Sequence, residues 1–333
     1  MAVDHEHAAS ERDYYLARVG DAFGGARPDA RIVRTATLDA LDAARWAAGA
    51  DGDDGRISSA LRDAGQLGVA LLQSVRGEVA GVPFRGTLAS VPVGLPADGF
   101  HAGLWAETLL AATAAQDAAS AVRLSRVRFD AFTPGGWPGQ AEIAAAVATV
   151  WAGDGDIGSH LVAALERTDP ERLPGDQANA ALDLVVPQAA VLEALAGDRP
   201  IDPPLQDGAN RFVRYWAARD DAAPENLLSV PLSGLAVLGE LLTGAAVTGH
   251  AVIPPAVVAR EGGSILACPA CAEPFDPAQP ECAWCDTDLT ADAPLEVPLS
   301  QWLSARREPC PNCAVLVHPQ ALRCWSCQTR QDR

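Results

Sequence analysis

All eight cysteines of this 333-residue chain lie in its last fifth, and their spacing is that of metal ligands. They form two copies of the pattern C-x2-C-x10-C-x2-C. Two residues between thiolates allow one tight turn to place both sulfurs on the same ion, at about 2.3 Å from zinc. A second C-x2-C pair, returned by a short hairpin, completes a tetrahedron. The predicted ligands are Cys268, Cys271, Cys282 and Cys285 for one ion, and Cys310, Cys313, Cys324 and Cys327 for the other.

Disulfides, redox-active C-x2-C pairs and an iron–sulfur cluster are the alternatives to zinc. A reducing cytoplasm keeps thiols reduced, and redox C-x2-C pairs usually occur singly within an α/β unit. An iron–sulfur cluster also uses four cysteines, but the equal spacings suit zinc better. The sequence therefore predicts two structural Zn²⁺ ions. Because four thiolates fill the coordination shell, no position remains for a catalytic water.

The tandem arrangement over residues 268–328 resembles a double zinc ribbon. The resemblance implies two small modules, each folded around one ion. Ribbons usually carry glycine after the second cysteine of each C-x2-C pair, where a positive φ is favoured. This chain has other residues at those positions, namely Ala272, Asp286, Ala314 and Gln328. We therefore expect local strain in the four turns.

Three tryptophans and a histidine accompany the modules. Trp284, Trp302 and Trp325 either cover the cysteine turns or are exposed anchors for a protein partner, and the sequence leaves both open. Since four cysteines already supply the ligands of the second module, we expect His318 in a surface loop rather than on the metal.

The cysteine-free part of the chain must carry these modules, and its dominant period is helical. Apolar residues at i, i+3 and i+4 spacing begin near Thr37 and Ser58 and predict amphipathic helices. Further helices are predicted at about 101–119, 138–152, 157–167, 176–196, 207–219 and 231–243. One strand-like stretch, 79–95, predicts a β-hairpin with turns at Gly81 and Gly86.

The predicted fold class is therefore mainly α. A large all-helical domain with a small β-hairpin interlude is followed by two small zinc-ribbon modules. The pair Gly262-Gly263 marks the change from Ala/Leu-rich to Pro/Cys-rich sequence. The predicted domains are a helical domain over 1–261, zinc ribbon 1 over 264–300 and zinc ribbon 2 over 301–333.

The charge of the chain excludes several kinds of partner. The net charge is −18, and every basic residue is an arginine. Nucleic acids and anionic membranes bind basic surfaces, so neither is an expected partner.

The acidic, polar N-terminal segment lacks the features of a signal peptide. The longest apolar run, Leu227–Gly239, contains Pro231 and suits a core helix better than a membrane span. We expect a cytoplasmic protein.

Catalytic signatures are missing from the sequence. It contains no P-loop, no H-E-x-x-H and no G-x-S-x-G motif. With all eight cysteines used as ligands, none remains as a nucleophile. An enzyme would have to use scattered carboxylates such as Glu107, Glu142 or Glu240, and single acids on helix faces are usually solvated. We therefore expect a protein that is not an enzyme.

A second pattern covers most of residues 10–260. It consists of five segments, Gly99–Ala115, Leu161–Pro170, Arg214–Asn226, Val230–Gly239 and Ile253–Val258. In order and spacing they resemble the immunity protein 49 family, which is found in actinobacterial polymorphic-toxin loci. The cysteine-rich tail lies outside the family pattern, and the resemblance brings no catalytic residues with it.

The resemblance implies a non-enzymatic protein that neutralises a toxin or effector by steric binding. We expect the zinc ribbons, which lie outside the family pattern, to be a second protein-contact module. An acidic immunity protein suits a basic, nuclease-like toxin, because opposite potentials speed association. The alternative is a zinc-ribbon adaptor or regulatory subunit of a bacterial multiprotein system, with the helical domain as scaffold. The oligomeric state stays open.

Overall fold

A computed structural model describes residues 4–21, 30–50, 54–76, 81–90, 100–127, 133–153, 156–219, 224–258, 263–291 and 293–331. Its longer helices are α1 (His5–Gly20), α2 (Ala30–Gly49), α3 (Asp54–Arg76), α4 (Ala102–Ala114), α5 (Ala118–Ser125), α6 (Gln140–Ala152), α7 (Ile157–Arg167), α8 (Gly175–Ala180), α9 (Val186–Ala196), α10 (Asp202–Ala217) and α11 (Val230–Thr243). Two short helices follow, α12 (Pro255–Val258) and α13 (Leu299–Ser304). The strands are β1 (Gly81–Phe84), β2 (Thr87–Ser90), β3 (Ser264–Ala267), β4 (Leu295–Pro298), β5 (Glu308–Pro309) and β6 (Leu316–Val317).

The predicted fold class is confirmed. Helices dominate the described ranges, and the strands within them form antiparallel two-stranded sheets, β1 with β2, β3 with β4 and β5 with β6. Two groups of four cysteines lie in the C-terminal part, as expected for two small metal-binding modules.

Helix α4 lies at the centre of the helical part. Its sequence, AGLWAETLLAATA, is apolar on nearly every side, which is typical of a helix surrounded by others. It contacts α3, α5, α6 and α11. The indole N–H of the buried Trp105 donates to the carbonyl oxygen of Leu124 at 2.9 Å and ties α4 to α5. The packing of the surrounding helices is therefore organised by α4.

Small residues allow close approach to α4. A Cβ atom added at Gly68 of α3 would lie 2.5 Å from the Cβ of Thr108. One added at Gly234 of α11 would lie 2.6 Å from the carbonyl oxygen of Leu110. Both distances are shorter than van der Waals contact, so only glycine fits at these two crossings.

Two predicted helices are divided in the structure. The predicted helix 101–119 breaks at Gln116, whose φ is +55°, and Asp117 caps α5 by accepting the N–H of Ser120. The predicted helix 176–196 contains a π-helical turn, Ala181–Val185, between α8 and α9. Pro187 lies just after that turn and has no N–H for the regular helical pattern.

Helix α1 has no counterpart among the sequence-based predictions. Asp4 begins it by accepting the N–H groups of Glu6 and His7 at 3.1 and 3.2 Å. On its inner side, the fully buried Ala8 packs against Trp46 of α2. The apolar stripe of α1 is weak, but Val19 reaches the main core and Arg18 pairs with Asp39 of α2 at 3.0 Å, so several contacts beside the cap hold the helix in place.

The predicted hairpin is formed by β1 and β2. Its two-residue turn is Arg85-Gly86, and the φ angles of +48° and +77° are those of a type I′ turn. Gly81 lies within β1, opposite Ser90, and not in a turn as predicted. The outer ends of the predicted stretch, 79–80 and 91–95, fall outside the described residues.

Two helical stretches are long and apolar enough to cross a membrane by length and composition, Gly175–Ala196 and Pro224–Thr243. Core helices pass the same test. In both stretches most of the apolar window, 61% and 67%, is buried inside the structure. Their composition is therefore accounted for by helix packing.

The C-terminal part shares its core with the helices. The first cysteine group lies between the paired strands β3 and β4 in the chain. Strand β4 leads directly into α13, which contacts α11. Val297, Leu299 and Trp302 belong to the same buried cluster as the helical core. The predicted boundary at residue 300 falls inside α13, and Gly262 of the predicted boundary pair lies outside the described residues.

Candidate metal centres

The structure brings the eight cysteines together as two groups of four. Within each group the sulfur atoms all lie within 4.8 Å of one another. Two Sγ–Sγ distances in each group are 3.6 and 3.7 Å. A regular tetrahedron with metal–sulfur distances of ~2.3 Å has edges of about 3.8 Å, whereas a disulfide joins sulfurs at about 2.05 Å. The two groups are therefore compatible with two bound metal ions.

Four turns of the same hydrogen-bonded form supply these sulfurs. In each, the carbonyl oxygen of the first cysteine accepts the N–H of the residue after the second cysteine, at 2.8 or 2.9 Å. The N–H of the first cysteine donates to the residue five positions on, at 2.8 or 2.9 Å. The residues after the second cysteines have φ of +55° to +59°; they are Ala272, Asp286, Ala314 and Gln328.

These are the four positions where the sequence lacks the usual glycine. A left-handed conformation costs a residue with a Cβ about 1–2 kcal/mol. The predicted strain is therefore present in the backbone of all four turns, and the cysteine spacing is kept in spite of it.

The two centres differ in exposure. All four cysteines of the first centre are buried, whereas Cys313 and Cys327 of the second are partly exposed. Hydrogen bonding with Thr329 and Asn312 lowers the pKa of the Cys327 thiol to about 5. Hydrogen bonding with Cys271 and Cys282 lowers the pKa of Cys268 to about 7. These two shifts favour the thiolate form that binds metal, whereas the pKa of the neighbouring thiols of Cys271, Cys282 and Cys324 is raised.

The two centres also contact each other. The carbonyl oxygen of Ala270, inside the first C-x2-C pair, accepts the N–H groups of Leu322 and Arg323 at 2.7 and 2.9 Å. On the far side, the amide of Gln328 donates to the carboxylate of Asp286 at 3.1 Å. The two modules are therefore joined as one unit.

A buried ion pair attaches this unit to the helices. Arg126, just after α5, lies 2.7 Å from the carboxylate of Glu273, which is 0% exposed and follows Ala272 in the first turn. The Arg126 guanidinium also lies over the rings of Trp284 and Trp325, at 4.3 and 4.0 Å from their centroids. One side chain of the helical part thus contacts both modules.

A second buried arginine strengthens the attachment. Arg307 donates to the carbonyl oxygen of Trp151 in α6 at 2.6 Å and lies 4.3 Å from the ring centroid of Trp302. Trp302 is 0% exposed and donates its indole N–H to Ala272 at 2.8 Å. Burial lowers the pKa of Arg307 to about 10, so the guanidinium is still charged at neutral pH.

The three tryptophans pack against the cysteine modules and the helical part. Trp302 is fully buried, and Trp284 and Trp325 pack edge to face at 5.5 Å around Arg126, so the three tryptophans cover the cysteine turns. The expectation of a surface loop for His318 is wrong. Its ring is 2% exposed and stacks on Trp302, with planes 3° apart and centroids 5.8 Å apart.

The sequence gives no sign of the contacts made by Arg126, Glu273 and Arg307.

The scattered carboxylates each have a separate partner. Glu142 pairs with Arg167 at 3.2 Å, and Glu240 accepts the N–H of Val247 at 2.9 Å. In the described ranges, the two cysteine groups are the clusters of three or more His, Cys, Asp or Glu whose ligand atoms are close enough to hold a metal ion.

Comparison of the chain with protein-family models, with curated proteins and with solved structures finds no match in any of the three.

The strained turns give a first prediction. We expect Ala314→Gly to raise the free energy of unfolding by about 0.5–1 kcal/mol, because glycine removes the left-handed penalty but adds chain entropy to the unfolded state. Ala305→Gly, at a φ of −65°, is the matched control and should lower it by about 0.5–1 kcal/mol. Urea unfolding of the metal-loaded protein measures both, and equal losses would contradict the strain.

The buried ion pair gives a second prediction. We expect Arg126→Met to lower the free energy of unfolding by about 3–5 kcal/mol, because the buried carboxylate of Glu273 loses the cation that pairs with it at 2.7 Å. Adding Glu273→Gln to the same chain should restore part of the loss. Urea unfolding with tryptophan fluorescence measures each variant.

The control for this prediction is an exposed ion pair. Arg211 and Asp207 are 2.8 Å apart and both substantially exposed. Arg211→Met should cost at most ~1 kcal/mol. If Arg126→Met costs no more than Arg211→Met, the ion pair with Glu273 does not hold the two parts together.

Proposed function

We propose that this chain is a non-enzymatic protein-binding protein whose two cysteine groups hold structural Zn²⁺ ions and whose helical domain neutralises a toxin or effector by steric binding. The observation that carries the structural role of the ions is the composition of the two centres. Each offers four thiolates in tetrahedral reach, so a bound ion has no open position for water or substrate.

Zinc is the metal that this donor set favours. Four thiolates in a tetrahedron suit Zn²⁺ or an iron–sulfur species. An iron–sulfur cluster of two or four irons spreads its cysteine ligands over several metal atoms, whereas the four sulfurs of each group all lie within 4.8 Å of one another, which suits a single ion. The ions would stabilise modules whose own buried clusters contain little besides the cysteines.

The difference in exposure predicts an order of metal release. We expect two zinc ions per chain by elemental analysis and biphasic release to a chelating dye, with the partly exposed second centre losing its ion first. Cys327→Ser should bind one ion and keep only the slow phase, whereas the neighbouring Ser326→Ala should keep both. Iron in place of zinc, or a slow phase lost in Cys327→Ser, would contradict this assignment.

The immunity role rests on the sequence. The five segments that resemble the immunity protein 49 family lie in the helical part, and the net charge of −18 suits a basic partner. Steric blocking needs no catalytic group in this chain. It needs only a stable surface that covers the active site of the toxin.

The alternative, a zinc-ribbon adaptor, has less surface to use than the sequence suggests. The inner faces of the modules are occupied, because Trp284 and Trp325 contact Arg126 and Trp302 is part of the helical core. An adaptor partner would bind the outer face, where Leu322 is 61% exposed. This arrangement favours the helical domain as the main binding part.

The test uses the full chain, since removal of residues after 261 would leave Arg126 and the carbonyl of Trp151 without their partners. Proteins captured from the native host are identified by mass spectrometry, with an unrelated protein of similar negative charge as control. Each specific partner is then expressed alone and together with this chain.

We expect a partner that arrests growth when expressed alone and is harmless when this chain is present. A specific partner without toxicity, bound through the outer face of the modules and lost in Leu322→Glu, would replace the immunity role with the adaptor role.

A further inference from the structure

The helical part contains a half-open cavity of about 310 Å³. Side chains of α2, α4, α9 and α10 line it, together with the segments before α6 and α11. None of the cysteine ligands belongs to it. Its volume is at the lower end of the range that holds small organic ligands.

One wall of the cavity is aromatic. Trp137, Phe212 and Trp216 line it, and Trp137 is 37% exposed. Tyr215 packs edge-on against Trp137 at 6.2 Å, and Phe212 packs against Trp216 at 6.2 Å, so the rings are held in place. Faces of fixed aromatic rings attract cations.

The charged groups of the cavity leave an excess of negative charge. The Arg45 guanidinium lies 2.9 Å from Asp42 and 3.5 Å from Glu107, and Glu225 lines the same cavity. Although burial opposes it, these three carboxylates raise the pKa of Arg45 above its ordinary value. Burial lowers the pKa of His101, so its imidazole adds no positive charge at neutral pH. Among the side chains that line the cavity, one cation, Arg45, therefore faces the two carboxylates of Glu107 and Glu225, while Asp42 and Arg34 are charged neighbours outside the lining.

A buried polar atom in the cavity has no partner. Gln188 is 4% exposed, and its amide nitrogen donates to the carbonyl oxygen of Leu184 at 2.5 Å. That bond fixes the side chain and leaves Oε1 as an acceptor without a donor. Buried acceptors are usually satisfied in native proteins, so Oε1 of Gln188 is an acceptor to which a ligand N–H could donate.

We propose that this cavity binds a guanidinium or alkylammonium group carried on an apolar stem. The N–H groups of the ligand donate to the carboxylates of Glu107 and Glu225 and to Oε1 of Gln188, and the stem packs against Trp137 and Phe212. A guanidinium suits these acceptors best, because it has five N–H donors and no acceptor. The proposal does not depend on the proposed function.

Two sources supply this chemistry, a free small cation and an arginine side chain of a bound protein. The N–H groups of Arg45 Nε and Trp216 Nε1 are also without an acceptor. A peptide carbonyl close to the guanidinium would satisfy one of them. The experiment therefore compares agmatine, which has no carbonyl, with Nα-acetylarginine amide, which represents an arginine within a chain.

Isothermal titration of the metal-loaded full chain measures both probes. Nα-acetylcitrulline amide, a neutral analogue of the same shape, is the ligand control. We expect both cations to bind at least tenfold more tightly than the citrulline compound, and Glu225→Gln to weaken their binding by about tenfold. Glu171→Gln, an exposed matched substitution outside the cavity, should leave binding unchanged.

Glu107→Gln removes a partner of Arg45 and can disturb the fold, so Glu225→Gln, in a partly exposed turn, is the deciding variant. Tighter binding of agmatine identifies a free cation as the ligand, and tighter binding of the acetylated amide identifies a protein side chain. Equal binding of the citrulline compound, no binding of either cation, or binding unaffected by Glu225→Gln would overturn the proposal.

Discussion

The buried pair of Arg126 and Glu273 is the contact on which the arrangement of the two metal centres and the helices depends. A carboxylate that is fully buried needs its cation at hydrogen-bonding distance, because separation of the two charges would leave each in a medium of low dielectric constant. Arg126 belongs to the helical part and Glu273 to the first cysteine turn. Trp284 from the first module and Trp325 from the second cover the guanidinium. Three parts of the chain are therefore fixed by one side chain.

This contact makes metal binding and the stability of the helical domain interdependent. An ion bound to the first group would hold the turn Cys268–Cys271 and with it Glu273, and the two tryptophans lie beside Cys285 and Cys324. Arg307 adds a second link, from the segment before the second centre to the carbonyl of Trp151 in α6. The binding free energy of a structural ion, typically ~10–16 kcal/mol, then supports contacts beyond its own module. The C-terminal part is a component of the core, and partner surfaces have to be sought on its outer side or on the helices.

The features that the sequence predicts well are those encoded by local spacing. The ligand groups, the positive φ at Ala272 and its three equivalents, and the hairpin turn at Gly86 each depend on a few neighbouring residues. The mainly helical fold follows from periodicity in the same way.

Arg126 and Glu273 are far apart in the chain, and nothing in either neighbourhood identifies the other. The burial of His318 requires Trp302 from a different element, and the cavity is assembled from several separate segments. Contacts of this kind depend on the packed fold, and a single sequence does not specify them.

The use of arginine as the only basic residue fits the places where buried positive charge is needed. Arg126 lies over two tryptophan rings while pairing with a carboxylate, and Arg307 lies over a third ring while donating to a main-chain carbonyl. A planar guanidinium does both at once, since its faces stack and its edge donates. A lysine ammonium is more strongly hydrated, loses its proton more readily on burial and has no flat face.

Burial lowers the pKa of Arg307 only to about 10, which leaves the charge intact at neutral pH. The same reasoning applies to Arg45, whose guanidinium reaches Asp42 and Glu107 from one buried position. Each of these sites needs a cation that remains charged when desolvated, and arginine is the side chain that meets this requirement.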